Sequence, residues 1–327
     1  MKTDAFANKR VLITGGAGFI GSAIACRLAA QGAEVTVVDS MIPEYGGNTH
    51  NLHEIQEQIH FNIADVRDAY AMRYLVKDQD YLFNLAGQTS HMDSMRDPVT
   101  DLDINAKAQL SILESCRLYN PAIRIVFAST RQIYGKPRYL PVDEKHTIDP
   151  VDVNGINKTA GEWYHQLYHQ VYGIPVCVLR LTNTYGPGMR IKDARQTFVG
   201  IWIRCLLEKQ AFEVWGGEQL RDFNFVDDVI DAFLLAAIHN AAIGNTFNLG
   251  SEEVVSLIDL AELMAAVGEG NFVIKSFPED RKKIDIGDYY SDYSLIQQAL
   301  GWVPKTKLRQ GLEQTLSYYR ENFDKYI

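Results

Sequence analysis

Short apolar runs alternate with longer segments of helical periodicity through the first half of the chain. "RVLITGG" and "EVTVVDS" read as buried strands, and "FIGSAIACRLAAQG" between them reads as a helix that stops at Gly32. "DYLFNLAG" and "IRIVFAST" repeat the pattern around the helix-like "DINAKAQLSILESCRLYN", and "PVCVLRLTN" is a further strand. Strands alternating with helices predict an α/β fold, a doubly wound parallel sheet with helices on both faces.

The second half is less regular. "YGPGMRIKDARQ" reads as a loop, "TFVGIWIRCLLEKQ" as a helix, and "AFEVWGGEQLRDFNFVDDV" as strand, turn and strand. "VVSLIDLAELMAAVG" has the period of an amphipathic helix, and "FPEDRKKIDIGDYYSD" reads as a loop. The pattern therefore divides into a sheet domain over 1–175, with a later return near 215–245, and a smaller lobe built mainly from 176–327.

Composition narrows the class. The 327 residues are 46% hydrophobic and 22% charged, as in ordinary globular chains. A net charge of −9 without a basic tract argues against nucleic acid as a partner, yet leaves room for a local phosphate pocket. Cys26, Cys116, Cys177 and Cys205 are far apart and form no CxxC pair, so reduced thiols and no metal site are expected. The N-terminal segment lacks an apolar signal-like region and no stretch approaches a membrane span, so a cytoplasmic protein without membrane contact is expected.

Chemistry enters with "VLITGGAGFIGS". Gly15, Gly16, Gly18 and Gly21 fall between a buried strand and a helix, where a tight turn lets a pyrophosphate approach the helix N-terminus. Asp39 ends the next strand, eighteen residues after Gly21, where a carboxylate accepts from an adenosine ribose and repels a 2′-phosphate. NAD is the cofactor this arrangement predicts, in preference to NADP.

Several motifs in order make the chain resemble the extended short-chain dehydrogenase/reductases, in their nucleotide-sugar epimerase and dehydratase branch. The resemblance covers nearly the whole length and implies a Rossmann domain followed by a nucleotide-sugar-binding lobe. In "TGGAGFIG" it implies cofactor contacts from Gly15, Gly18, Phe19, Ile20 and Gly21; in "DVRD" from Asp65 and Val66; in "NLAGQ" from Leu85 and Ala86, with Gln88 facing the substrate. "STRQIYG" places the family's catalytic hydroxyl on Thr130. "LRLTNTYGPG" and "RDFNFVDDV" place Asn183 and Arg221 near the diphosphate, with Arg190 as a further phosphate clamp, and "ALGWVP" is another mark of the family. A homodimer is implied, its contact formed by the helix after "DPVTDLDINAK" and the one holding Lys158.

The same register exposes a departure. The family carries Tyr-x-x-x-Lys; here Gly155, Lys158 and Glu162 are in place, but Asn154 stands where the tyrosine belongs. Oxidising a sugar alcohol needs a proton acceptor while the nicotinamide takes the hydride, and an amide cannot accept that proton. Losing general-base help costs roughly 10²- to 10⁴-fold. Lys158 is expected at the catalytic centre or on the cofactor ribose, and His91, after another strand end, is the imidazole nominated as substitute base.

Arg131 and Gln132 carry further information. In the family's 4,6-dehydratases the catalytic Thr is followed by Asp and Glu, and its glucuronate decarboxylases keep an acid at the Gln132 position. Neither residue here exchanges a proton readily at neutral pH, which favours epimerisation through a transient ketone over elimination or decarboxylation. "AGQ", "STRQIYG" and "FVGIWI" also resemble the 2-epimerases of CDP-sugars, so the epimerised carbon stays open. The contrasting expectation is a catalytically impaired protein that still binds NAD and the nucleotide sugar.

Overall fold

The computed structural model describes residues 5–279 and 284–327. In chain order its first half runs β1 (Arg10–Thr14), α1 (Phe19–Ala29), β2 (Glu34–Asp39), β3 (Ile59–Ile63), α2 (Ala69–Leu75), β4 (Tyr81–Asn84), α3 (His91–Arg96), α4 (Pro98–Leu102), α5 (Ala108–Tyr119) and β5 (Arg124–Thr130). There follow α6 (Val153–Tyr172), β6 (Val176–Leu181), β7 (Asn183–Tyr185), α7 (Phe198–Leu207), β8 (Phe212–Trp215), β9 (Leu220–Phe225) and α8 (Val226–Ile238). The chain closes with β10 (Thr246–Asn248), β11 (Val254–Ser256), α9 (Leu257–Gly268), β12 (Phe272–Lys275), α10 (Ser294–Leu300) and α11 (Leu308–Asn322).

Seven strands form one parallel sheet in the order β10-β6-β5-β4-β1-β2-β3. Its central strands are continuous apolar runs because both faces are covered. Val11 and Ile13 face a core shared with α1 and α8, while Leu12, Leu82 and Ile125 face a second core under α2, α5 and α6. Sheet and helices thus make the Rossmann-type α/β arrangement that the strand-helix alternation predicts. The sheet runs past residue 175, since β6 and β10 (Thr246–Asn248) both pair into it and α8 packs on its face.

The lobe carries two small sheets, β11-β9-β7 and β12-β8. "VVSLIDLAELMAAVG" splits between β11 and α9 instead of forming one helix. Ser256 and Asp259 make a reciprocal capping box that fixes where α9 starts and leaves Val254 and Val255 to pair with β9. The "FPEDRKKIDIGDYYSD" loop lies in part outside the described residues. No helix among the described residues is long and apolar enough to cross a membrane.

Candidate active site

Strand order fixes the layout of the site. In a parallel sheet the strands all end at one edge, and ligands bind across those ends. From one side to the other, the ends present Asp39 after β2, the glycine turn after β1, Leu85 and Ala86 after β4, Thr130 on β5, and Asn183 after β6. All of these line one cleft of about 1000 Å³, together with Phe19, Ile20, Asp65, Val66, His91, Asn154, Lys158 and Arg221.

The glycine turn is built for close approach. Gly15 has φ +66° and lies against the backbone of Ala86; a Cβ on Gly21 would collide with the Gly15 carbonyl. Gly18 starts α1 without a side-chain cap, so the first helical N–H groups are available to an anion. Thr14 ties the neighbouring strand ends, donating to Asn84 Oδ1 at 2.8 Å and accepting from the Leu85 and Ala86 amides at 3.2 Å. Asp39 accepts from the amides of Ala17 (3.1 Å) and Met41 (3.0 Å); burial raises its pKa while those N–H groups oppose the rise. Asp65 is held by Arg67 at 2.6 Å, which lowers its pKa. Bare helix amides, a glycine cradle and a carboxylate at the second strand end fit NAD.

At the centre of the cleft, Thr130 Oγ1 accepts from the Gln132 amide at 3.2 Å and caps the turn Arg131–Tyr134. Lys158 is buried on α6, donates to the Ala128 carbonyl at 3.2 Å and lies over the Phe127 ring. Burial pushes its pKa down to about 8, and the charge of Asp101 resists the fall.

Asn154 is held by a network that the sequence motifs do not announce. Its Nδ2 donates to the Gln88 carbonyl at 2.8 Å and to Asp101 Oδ2 at 3.1 Å, and its amide N–H donates to Ser94 Oγ at 3.2 Å. Asp101 is fully buried and also accepts from Asn105 (3.1 Å) and Asn157 (2.8 Å). Both amide hydrogens of Asn154 are therefore committed, which leaves its carbonyl oxygen for a ligand.

His91 begins α3, with Nδ1 2.9 Å from Asp152 Oδ2. Asp152 caps α6 through the Gly155 amide at 2.7 Å and accepts from Gln132 Nε2 at 3.0 Å. Burial works to raise the Asp152 pKa, but His91 and the other donors outweigh it and the net shift is downward.

Two arginines flank Asn183, Arg131 after β5 and Arg221 on β9, the strand that pairs with β7. Arg221 is buried, donates to the Leu220 carbonyl at 2.8 Å and to that of Gly287, and lies 3.5 Å from Asp285. Burial and the nearby Arg131 charge push its pKa down to about 10. Arg131 donates to Asn183 Oδ1 at 3.1 Å, stacks 5.1 Å over Tyr289, and leaves Nη1 buried without a hydrogen-bond partner among the described residues. Two residues expected at the substrate are placed otherwise. Arg190 spends its guanidinium on Asp193 (2.7 Å) and the Pro43 carbonyl (2.8 Å), tying two loops together outside this cleft. Gln88 donates its side-chain amide to the Ser90 carbonyl at 2.9 Å, and its backbone carbonyl accepts from Asn105 and Asn154.

Asp152, Asp101 and the cationic role of Arg131 were not drawn from the sequence. "DVNG" carries the signal of an N-cap, which would have found Asp152 as a cap but not as a partner of His91. Asp101 gives no signal, because an aspartate in a helical segment reads as solvated.

Residues 11–250 match the NAD-dependent epimerase/dehydratase family. The UDP-glucose 4-epimerase of Mycolicibacterium smegmatis is 31% identical over 316 residues, covering 95% of this chain and 98% of that protein. UDP-glucuronic acid decarboxylase 1 of Xenopus tropicalis is 30% identical over 327 residues, 97% of this chain and 73% of that one. The crystal structure of a UDP-glucose 4-epimerase from Thermotoga maritima with UDP-glucose superposes with a TM-score of 0.88 at 30% identity, over 96% and 99% of the two chains. With the fold, the glycine turn and this match over most of its length, the chain belongs to the NAD-dependent epimerase/dehydratase family.

Proposed function

We propose that the protein is a nucleotide-sugar epimerase that oxidises one ring carbon to a ketone and re-reduces it from the other face, with a UDP-sugar as the leading substrate class. The observation that carries this reading is the order of groups along one cleft. Asp39 and the glycine turn lie at the β2 and β1 ends, Thr130 and Arg131 at and after the β5 end with Lys158 beside them, Asn183 on β7 after β6, and Arg221 on β9, which pairs with β7. NAD, when bound, supplies the hydride acceptor and donor. The two arginines match the charge of a diphosphate, and Arg131 adds a cation that the sequence motifs left unassigned.

Thr130 and Lys158 hold the reacting hydroxyl, and Asn154 offers it a carbonyl acceptor. Asn154 cannot take the proton, and His91 in the same cleft can. Gln132, committed to Asp152, disfavours the elimination and decarboxylation that an acid at that position supports. An impaired binding protein is the second reading, favoured by Asn154 alone. Incubation with a panel of nucleotide sugars and no added cofactor, followed by NMR, separates the two. A new stereoisomer supports the epimerase, binding without turnover supports the second reading, and a 4-keto-6-deoxy product or a pentose product overturns the first.

We infer a homodimer from the outer face of α6, where Ile156, Trp163, Leu167 and Val171 are all about half exposed, with Val99 and Leu102 of α4 nearby in the fold. Large apolar side chains repeated at helical spacing on one face mark an interface.

A further inference from the structure

Resting on that epimerase reading, we propose that His91 and Asp152 form a dyad in which the buried carboxylate fixes the imidazole tautomer, so that Nε2 faces the cleft as the acceptor and donor of the sugar hydroxyl proton. Nδ1 of His91 is shielded from solvent, has no hydrogen-bond partner among the described residues, and lies 2.9 Å from the Asp152 carboxylate, within ion-pair reach, while the ring as a whole keeps 38% exposure and lines the cleft. Asp152 has no exposed side-chain surface. Its Oδ1 accepts from the Gly155 amide and its Oδ2 from Gln132, and Oδ2 also faces His91 Nδ1 at ion-pair distance. An anion so placed favours the proton on Nδ1, which leaves Nε2 with its lone pair.

Competing charges are already engaged. Asp93 pairs with Arg96 at 3.5 Å and Arg195 at 3.2 Å, Asp101 with three asparagine amides, and Lys158 with the Ala128 carbonyl. Gln132 gains a reason as well. Its amide donates to Asp152 Oδ2, where a carboxylate would repel the dyad. In the forward step the hydroxyl O–H electrons become the second C=O bond as the carbon's hydride leaves for the nicotinamide, and the proton passes to Nε2. On re-reduction the same nitrogen returns it. Asp152 is a positioning residue and stays ionised throughout.

The test is Asp152→Asn. The Gly155 amide needs an acceptor, so the new side chain keeps its oxygen there and turns its NH₂ toward His91 and Gln132, whose side-chain amide flips to present its oxygen. That forces the Nε2–H tautomer, and Asn caps a helix as well as Asp does. We expect ¹⁵N NMR of ring-labelled protein to show Nδ1–H for His91 in the native protein and Nε2–H in the variant. Turnover of the active nucleotide sugar should fall about 10²-fold, with melting temperature and NAD affinity unchanged. His91→Gln should lose as much, and the double variant no more than either single one. Native turnover in Asp152→Asn, or an Nε2–H tautomer in the native protein, overturns the proposal. If no nucleotide sugar is converted, the epimerase reading fails, and the tautomer in the two proteins still decides the dyad.

Discussion

Asn154 donates its side-chain amide to the buried carboxylate of Asp101, 3.1 Å away, and this bond makes the residue at the family's tyrosine position part of the protein's framework. A π-helical turn at Asp103–Lys107 brings Asn105 to the same carboxylate, and Asn157 reaches it one turn further along α6. Three amides satisfying one buried charge is an arrangement in which each member matters, since an unpaired buried carboxylate is costly.

Restoring the tyrosine is therefore not a repair. Asn154→Tyr removes two donated hydrogen bonds and places a ring beside Asp101. Leaving a buried acceptor short costs about 1–3 kcal/mol, so we expect a lower melting temperature and turnover equal to or below that of the native protein. A single Asn154→Tyr variant that is both as stable as the native protein and faster would show an impaired epimerase awaiting its base.

Lys158 predicts a pH dependence. Its pKa is pushed down to about 8 from the ordinary lysine value, so its charge is present below about pH 8 and lost above it. If the cation orients the hydroxyl and the cofactor, kcat falls as pH rises through about 8, and Lys158→Met lowers turnover at every pH. Stability moves the other way. The unfolded lysine holds its proton to about pH 10.4, so between about 8 and 10.4 the unfolded state binds more protons and this group adds stability as pH rises. Denaturation midpoints measured across that range should rise more in the native protein than in Lys158→Met.

The strand-helix alternation was enough to read the parallel sheet, because β1, β2, β4, β5 and β6 are buried apolar runs. β3 was missed although "IHFNI" alternates apolar and polar residues as a half-buried strand does; it is five residues long and sits on the sheet edge with His60, Phe61 and Ile63 exposed. The glycine turn and Asp39 were legible because a dinucleotide constrains backbone at fixed spacing. The polar interior was not. Asp101 meets Asn154 across 53 residues, His91 meets Asp152 across 61, and no local pattern encodes a pairing that tertiary packing alone brings about. Arg190, close to a substrate motif, pairs with Asp193 three residues on, a local contact that its place in the motif does not reveal.

Substrate charge gives the third prediction. Arg221→Ala should weaken nucleotide-sugar binding by about 1.5–3 kcal/mol, roughly ten- to a hundredfold, and leave NAD affinity unchanged, because Arg221 lies on β9 of the small lobe sheet, whereas Asp39 ends β2 of the large one. Arg131→Ala should act on the same ligand. Titration calorimetry with UDP and with NAD separates the two ends, and equal losses for both ligands would show that the arginines support the fold instead of the diphosphate.

The last prediction concerns the outer face of α6. The helix has one side buried against the sheet, with Asn154, Lys158, Glu162 and His165 inward, and leaves Trp163 at 58% exposure on the other. A second copy of the chain presenting the same stripe would bury Ile156, Trp163, Leu167 and Val171 against their equivalents, which an isologous contact allows. Trp163→Glu places a charge at the middle of that stripe without touching the inward face. We expect sedimentation to show a dimer for the native protein and a monomer for the variant, with the monomer still binding NAD. Because α6 also carries Asn154 and Lys158, the monomer should lose turnover through looser positioning of that helix, seen as a fall in kcat with little change in KM. A native protein that sediments as a monomer would remove the interface and leave the exposed tryptophan for another partner.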